Sequence, residues 1–225
     1  MKHLYLSHIV SQITPSYGNR DRVFIRDNSS IKKGETANSS CWIFSNNHMG
    51  THIDVPYHSC NHGKKIYELP VKDFFFNKIG LVDIPCTESR LITPKDFSDL
   101  TKLIKKDIEL LLIRTGFEKY REEDKYWNDN PGLAPGLAAY CRQNFPLLRC
   151  VGFDFISLTS WKFRPAGRES HREFLCPEAG VKPILIIEDM SLSKASEQIE
   201  RVIVAPLFVE DGNGGPVTVF AEINP

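Results

Sequence analysis

The segment NNHMGTHIDVPYHSCNHG, residues 46–63, concentrates side chains that can bind a metal ion. Four of the chain's seven histidines lie here. The candidate ligands are His48, His52, Asp54 and His58. All occupy even-numbered positions, and alternate residues of an extended strand point to the same face. Two imidazoles and a carboxylate suit Zn²⁺, Mn²⁺ or Fe²⁺ and leave positions open for water and substrate, so the spacing predicts a reactive metal site.

An extended chain explains this segment better than a helix. Glycine, proline and β-branched residues interrupt it, and these are poor helix formers. A metalloprotease helix also needs Glu directly after its first histidine, where this chain has Met49. His52 and Asp54 are roughly 6.6 Å apart along a strand, which suits one shared ion. His48 would lie about 13 Å from His52 on a straight strand, so we expect a bend at Gly50.

His58 follows Pro56, which marks the end of regular strand pairing. On a straight strand its Cα would lie about 13 Å from that of Asp54, too far for easy shared coordination. We therefore expect His58 to transfer protons to and from a metal-activated water, since an imidazole titrates near neutral pH. A chance cluster of surface and core histidines is the alternative, but three histidines and one aspartate on one strand face argue against it.

The rest of the chain must position these residues, and its pattern predicts strands with a few helices between them. Apolar runs predict buried strands at IGLVDIP, IELLLIRTGF, LRCVGFDFISLTS and KPILIIEDMSL. Residues 201–223 predict two strands around a turn rich in Gly and Asn. A helix should begin at Pro94 after the capping residue Thr93, and another should follow the loop at PGLAPG. We expect an α/β or α+β protein with a mixed sheet.

Length and composition limit the classes of partner. The 225 residues, 41% hydrophobic and 25% charged, fit one domain spanning residues 1–225. The 28 basic and 28 acidic residues indicate neither a nucleic-acid nor a membrane partner. We find no apolar run of the roughly 18 residues that a membrane span needs and no signal peptide, so we expect a cytoplasmic protein. The six cysteines form no C-x-x-C pair, and we expect most to be reduced.

The string H-x-G-T-H-x-D-x-P-x-H, from His48 to His58, resembles the signature of the cyclase family of metal-dependent hydrolases. That family includes bacterial kynurenine formamidases and isatin hydrolases. Weaker resemblances at LLIRTGF, VGFDFISL and SHREFL to ILIIEDM extend over most of the chain. The resemblance implies a swivelling β/β/α-type α/β fold with a strand-rich mixed sheet and a few flanking helices. It also implies a small-molecule substrate and a homodimer or homotetramer.

The resemblance further implies which residues bind each of two metal ions. The first ion is assigned to His48, His52 and Asp54. A second ion, bridged by Asp54, is assigned to His171 and Glu188. We therefore expect one or two divalent ions per chain, with Zn²⁺ as the first choice and Mn²⁺ or Fe²⁺ as alternatives.

In the same resemblance, the proton-transfer role falls on His58. The segment between the two distal ligands is longer than the family pattern, so Glu173 or Glu178 competes with Glu188. We prefer Glu188 because it ends an apolar strand. Asp189 is adjacent and should point to the opposite face.

The predicted reaction is metal-dependent hydrolysis of a C–N bond in a formamide, amide or cyclic imide. One alternative keeps the metal but hydrolyses a lactone, or dehydrates or cyclises a small acid. A second is a metal-dependent binding protein without turnover, which has no need of a proton-transfer residue such as His58. A third is a structural metal site, but three ligands from one strand leave coordination positions open, as catalysis requires.

A few other residues carry weaker signals. Cys60 and His62 continue the even-numbered face and form a candidate site with His58, although a packed Cys60 and a solvated His62 are the preferred interpretation. Arg114 either orients the site or pairs with a carboxylate. Trp42, Phe44, Trp161 and Phe163 are candidates for an aromatic pocket, and core packing is the alternative for each.

Overall fold

The computed structural model of the protein describes residues 2–100, 104–196 and 198–224. The strands are β1 (Lys2–Tyr5), β2 (Val23–Ser29), β3 (Ser39–Phe44), β4 (His52–Asp54), β5 (Phe75–Phe76), β6 (Ile79–Asp83), β7 (Leu91–Ile92), β8 (Leu110–Arg114), β9 (Gly132–Leu133), β10 (Cys150–Phe153), β11 (Leu185–Glu188), β12 (Ile199–Pro206) and β13 (Gly214–Ile223). The α-helices are α1 (Pro94–Phe97), α2 (Asp124–Asn128), α3 (Leu137–Asn144) and α4 (Arg164–Leu175). The predicted α/β class with a mixed sheet is confirmed.

One mixed sheet organises the molecule, in the order β5-β12-β13-β4-β11-β10-β8-β6, with β1 also paired to β13. The strands β6, β8, β10 and β11 run parallel to one another. The strands β1, β5, β12 and β13 pair antiparallel. β4 joins these two halves, because it is antiparallel to both β11 and β13. The short motif strand therefore lies in the middle of the sheet.

The parallel half is buried on both faces, which explains its continuous apolar runs. Along β8, Leu110 and Leu112 belong to a core formed with the antiparallel strands. Leu111 and Ile113 belong to a second core, formed with the helices. The strands predicted from apolar runs are all present, as β6, β8, β10 and β11.

The helices agree with the sequence in part. α1 begins at Pro94, where the Asp96 carboxylate accepts hydrogen bonds from the N–H and the hydroxyl of Thr93. It ends at Phe97, sooner than the predicted run, of which residues 101–103 lie outside the described residues. No pattern above predicts α4, since Gly167 interrupts it. That glycine lets the helix pack closely: a Cβ there would lie 2.4 Å from the Thr159 hydroxyl oxygen.

A disulfide between Cys60 and Cys176 ties the end of the motif segment to the residue that follows α4. The pairing joins residues 116 apart and was not predicted. His62 is exposed, as predicted, and its Nε2 lies 3.4 Å from the Cys60 sulfur. The remaining cysteines are free, in line with a mostly reduced set: Cys41, Cys86, Cys141 and Cys150.

The predicted strand pair near the C-terminus is the hairpin of β12 and β13. β2 and β3 form a separate two-stranded sheet, and so do β7 and β9. Among the described residues, we find no helix with the length and apolar character needed to cross a membrane.

Candidate metal centre

β4 presents its two polar side chains on one face of the sheet. Ile53, between them, is fully buried in the apolar core on the other face. In the antiparallel register with β11, Glu188 lies directly opposite His52. Residues opposite each other in adjacent strands share a face. The sheet therefore brings Glu188 to the same face as His52 and Asp54.

A bend at Gly50 returns His48 to this face. Gly50 has a φ of 66°, in the left-handed region that glycine adopts without strain. His48 Nδ1 then lies 2.7 Å from Asp54 Oδ1. Across the ladder, Gly214 stands opposite Asp54, and a Cβ there would lie 3.1 Å from His48 Cε1. The predicted bend is present, and a glycine on β13 leaves room for the imidazole.

His58 is much nearer to Asp54 than a straight strand would allow. Regular pairing stops at Asp54, and Pro56–His58 form a single 3-10 turn. That turn places His58 Nε2 4.0 Å from Asp54 Oδ2 and the His58 ring centroid 4.3 Å from that of His48. The chain therefore bends a second time after Asp54, which the sequence did not predict. His58 is close enough to be a metal ligand as well as a proton-transfer residue.

The distal residues also reach the motif. His171, on α4, has its Nε2 3.6 Å from Asp54 Oδ2 and 3.6 Å from Glu188 Oε1. The competing glutamates lie elsewhere. Glu173 accepts a hydrogen bond from a backbone N–H in the loop before α3, and Glu178 is exposed. Of these three glutamates, Glu188 alone joins the cluster.

Two imidazoles are oriented as metal ligands usually are. His52 donates Nδ1–H to the Gly50 carbonyl oxygen at 2.8 Å, and His171 donates Nδ1–H to that of Gly167 at 3.0 Å. Each bond fixes the tautomer and turns the basic Nε2 toward the carboxylates. His52 Nε2 lies 3.2 Å from Glu188 Oε2 without hydrogen-bond geometry, and has no hydrogen-bond partner among the described residues.

Further residues, which sequence reasoning missed, hold the ligands in place. Asn213 Oδ1 lies 3.0 Å from His48 Nε2, so it can accept that N–H while Nδ1 faces Asp54. The Leu158 N–H donates to Glu188 Oε1 at 2.7 Å. Asn213 lies in the Gly-rich turn that we interpreted only as a hairpin. The signal that could have identified Asn213 was a polar side chain in a turn otherwise rich in glycine.

The electrostatics favour a cation here. Burial lowers the pKa of His52, but Glu188 and Asp54 outweigh it and raise that pKa to about 9. Burial likewise lowers the pKa of His171, and the same two carboxylates raise it to about 10. Burial and the charge of Asp54 raise the pKa of Glu188, but His171 and His52 outweigh them and lower it to about 2. Positive charge is thus strongly stabilised between the two carboxylates.

His58 behaves differently from these two histidines. Burial is the main cause that lowers its pKa below the ordinary value, and the neighbouring His48 and His171 add to this against the pull of Asp54. Burial raises the pKa of Asp54, but the surrounding histidines, His58 first, hold it well below its usual range. His58 is therefore neutral near pH 7, as a proton acceptor must be.

The residues present fit a divalent ion. Ligand atoms of His52, Asp54 and Glu188 lie within 4.8 Å of one another, and so do those of His48, Asp54 and His58. Asp54 belongs to both groups, as a bridging carboxylate would. The grouping differs from the predicted one, which placed His48 with His52. Carboxylate and imidazole donors of this kind suit Zn²⁺, Mn²⁺ or Fe²⁺.

The cluster forms the floor of a cavity of about 680 Å³. Tyr17 and Tyr57 line it, whereas Trp42 is exposed on β3. Arg114 does not reach it: its guanidinium pairs with Asp83 at 2.6 and 2.8 Å. For Arg114 the carboxylate-pairing alternative is therefore correct.

Comparisons with known proteins show what this chain is similar to. The family described as "Putative cyclase" matches residues 4–159, a stretch that includes β4 but stops before His171. A kynurenine formamidase of Bacillus cereus is 25% identical over 170 residues, 76% of this chain and 73% of that protein. An uncharacterised protein of Haemophilus influenzae is 34% identical over 111 residues, 48% of this chain and 78% of that protein.

Solved structures share the fold. An isatin hydrolase bound to the product analogue thioisatinate superimposes with a TM-score of 0.80 at 18% identity, covering 98% of this chain and 91% of that one. A predicted metal-dependent hydrolase from Bacillus stearothermophilus gives a TM-score of 0.73 at 21% identity, covering 98% and 97%.

Proposed function

Because this chain belongs to the putative cyclase family, we propose that it hydrolyses a C–N bond in a formamide, amide or cyclic imide with the help of a divalent metal ion. The relatives named kynurenine formamidase identify the chain as an enzyme. The observation that carries the proposal is Asp54, which lies at the floor of an open cavity and is shared by two groups of metal-ligand atoms.

The proposed ligands are Asp54 and the four residues around it: His48, His52, His171 and Glu188. Their positions support one ion or two, and Zn²⁺ is our first choice. A bound ion would supply an activated water and polarise the substrate carbonyl. Asn213 orients His48, and the backbone N–H of Leu158 orients Glu188.

His58 is the proposed proton-transfer residue. Its Nε2 faces Asp54 at 4.0 Å and its pKa is lowered, so the neutral ring can accept a proton at neutral pH. We propose that it takes the proton of the attacking water and then delivers it to the leaving nitrogen. The His58 ring is 30% exposed, so it can reach both the floor of the cavity and a substrate above it.

A turnover screen of the metal-loaded protein tests the proposal. N-Formylkynurenine, isatin and simple lactones would be offered to protein loaded with Zn²⁺ or Mn²⁺, and to protein treated with a chelator. Metal-dependent release of formate or ring opening of isatin supports C–N hydrolysis. Turnover of lactones alone would move the assignment to ester chemistry at the same site.

We also propose a homodimer or homotetramer. The β2–β3 sheet carries exposed apolar side chains, and Phe24, 54% exposed, lies directly opposite Ile43, 50% exposed, on one face. Contiguous apolar surface of this kind is typical of interfaces. Light scattering of the purified protein measures the mass directly, and a monomer would contradict the proposal.

A further inference from the structure

A second group of charged residues surrounds the mouth of the metal cavity and has no role in the chemistry above. Arg20, Arg164, Arg168 and Arg172 all line this cavity. Asp21 is the acidic residue of the lining outside the metal cluster, and its carboxylate accepts a hydrogen bond from Asn46. The mouth is therefore strongly cationic, above a floor that holds the candidate metal ligands.

Three of these arginines lie on one side of α4. Arg164, Arg168 and Arg172 follow each other at intervals of four residues, and such residues share a face of a helix. His171, on the same helix, points to the metal cluster. One helix thus carries both a candidate metal ligand and the cationic face, which fixes the distance between them.

Two of the guanidiniums are held in place by an aromatic ring. The guanidinium carbon of Arg164 lies 3.6 Å from the centroid of Trp161, and that of Arg20 lies 5.5 Å from it. Tyr17 packs edge-on against the same ring at 4.9 Å. Stacking on an aromatic face orders a guanidinium and leaves its N–H groups free to bind an anion.

The turn that carries Arg20 is built to fit this ring. Gly18 has a φ of 65°, and a Cβ there would lie 2.2 Å from a ring carbon of Trp161. No larger residue can occupy the position without moving the ring or the turn. The stacked arrangement of Trp161 with Arg20 is thus a property of the backbone as well as of the side chains.

These guanidiniums lack a protein counter-ion. Among the described residues, no carboxylate lies within 4 Å of Arg20, Arg164 or Arg168, although other arginines such as Arg121 and Arg114 form ion pairs. The N-terminal end of the twelve-residue α4 adds the positive end of its dipole at the same place. A cationic surface left unpaired beside a reactive site is suited to hold an anion.

We propose that Arg164 and Arg168, assisted by Arg20, bind an anionic group of the substrate at a distance from the bond that is cleaved. The substrate is then an amide or formamide that also carries a carboxylate or a phosphate. This specificity rests on the proposed function, because it assumes that the same cavity holds the scissile bond. Arg164 and Arg168 determine specificity and leave the reacting atoms to the metal cluster.

A matched set of probes tests the inference. 4-Formamidobenzoate and 4-formamidophenyl phosphate carry an anion far from the formyl group, and methyl 4-formamidobenzoate is the neutral counterpart. We expect the metal-loaded enzyme to prefer an anionic probe, by kcat/KM, over the neutral ester. In Arg164→Met and in Arg168→Met, the anionic-to-neutral ratio should fall about tenfold, mainly through KM. Arg168→Lys should recover part of it, and Arg201→Met, a distant exposed arginine, should leave the ratio unchanged.

The two anionic probes separate carboxylate from phosphate recognition. An equal ratio in the wild type and in both methionine variants would overturn the inference. If no formamide is turned over, binding of benzoate, inorganic phosphate and neutral benzamide to the holoenzyme decides it by calorimetry. Anion binding that is lost in Arg168→Met but kept in Arg201→Met supports the anion site even though the proposed reaction has failed. Equal binding of benzoate and benzamide, or anion binding that persists in Arg168→Met, would overturn it.

Discussion

Two neighbouring residues at the end of β11, Glu188 and Asp189, belong to two buried polar clusters that differ in how the carboxylate charge is balanced. Glu188 faces the histidines of the candidate metal centre. Asp189 turns the other way, at a φ of 52°, and binds Arg121 at 2.7 Å and the Tyr126 hydroxyl at 2.5 Å. Asp189 is fully buried, and its charge is balanced by a residue of the chain.

The Glu188 side is not balanced in this way. Two buried carboxylates face imidazoles, and no arginine or lysine pairs with Asp54 or Glu188 among the described residues. A buried charge needs a partner, because desolvation is otherwise too unfavourable. The comparison teaches how a candidate metal site can be recognised. The Asp189 cluster contains its own cation, Arg121, whereas the Asp54–Glu188 cluster stabilises a positive charge that must come from a bound proton or metal ion.

The strongest way to break this comparison is to remove a ligand. His52→Ala deletes the buried imidazole between Asp54 and Glu188, so we expect most of the metal to be lost and turnover to fall to that of the metal-free protein. Elemental analysis of protein expressed with added Zn²⁺ or Mn²⁺ measures this. The exposed His3→Ala is the matched control and should retain the metal. Full metal content in His52→Ala would refute the assigned centre.

The next effect concerns the proton. His58→Ala should keep the metal but lose roughly 10²–10⁴-fold in kcat, the usual contribution of a general acid–base residue. The exposed His3→Ala, used above, is again the control and should keep both metal and rate. If His58→Ala strips the metal instead, His58 is a ligand, in keeping with its place in one of the three-residue groups. If it changes neither metal nor rate, the proton-transfer residue lies elsewhere, and His62 is the next candidate.

The Asp189 cluster can be broken independently. Arg121→Met leaves Asp189 buried without its counter-ion, so we expect a loss of about 3–5 kcal/mol in the free energy of unfolding. Urea denaturation measures it, and the folded fraction should bind metal normally. Arg201→Met, which breaks a more exposed pair with Glu222, should have a much smaller effect. A similar small effect in Arg121→Met would remove the contrast between the clusters.

The comparison can be sharpened further by the pH dependence of metal binding. Without metal, His52 and His171 hold protons up to pKa values of about 9 and 10, and an ion must displace them. Affinity should therefore rise with pH, about tenfold per unit for each displaced proton. Chelator competition between pH 6.5 and 8.5 tests this, and an affinity independent of pH would contradict it.

The same pKa values fix the sign of a stability change in the metal-free protein. Both are raised above the ordinary histidine value near 6.5, so their stabilisation is fully present below that pH. It is lost as pH rises through about 9 and 10. The Tm of the metal-free protein should fall over this window, whereas the charge of Arg121 persists.

The sequence predicts which side chains gather around Asp54 better than it predicts the elements that assemble them. His52 and Asp54 follow from alternation along a strand. His171 and Glu188 come from the family resemblance, and Glu188 was preferred over its competitors because it ends an apolar run. The closeness of His58 to Asp54 was not predicted, because the alternating pattern of a strand does not reveal the turn at Pro56–His58. The pairing of Asp189 with Arg121, and of Cys60 with Cys176, depends on contacts between distant segments. Local patterns carry no information about these.

The position of β4 has a consequence for the order in which the protein folds. The strand is only three residues long, and its hydrogen-bonding partners β11 and β13 come more than a hundred residues later in the chain. Such long-range pairing is slow, since a large loop must close before any contact stabilises it. The motif is contiguous in sequence, yet His171 and Glu188 cannot reach Asp54 until the C-terminal half has docked. Metal capture should therefore be a late step that reports a completed sheet.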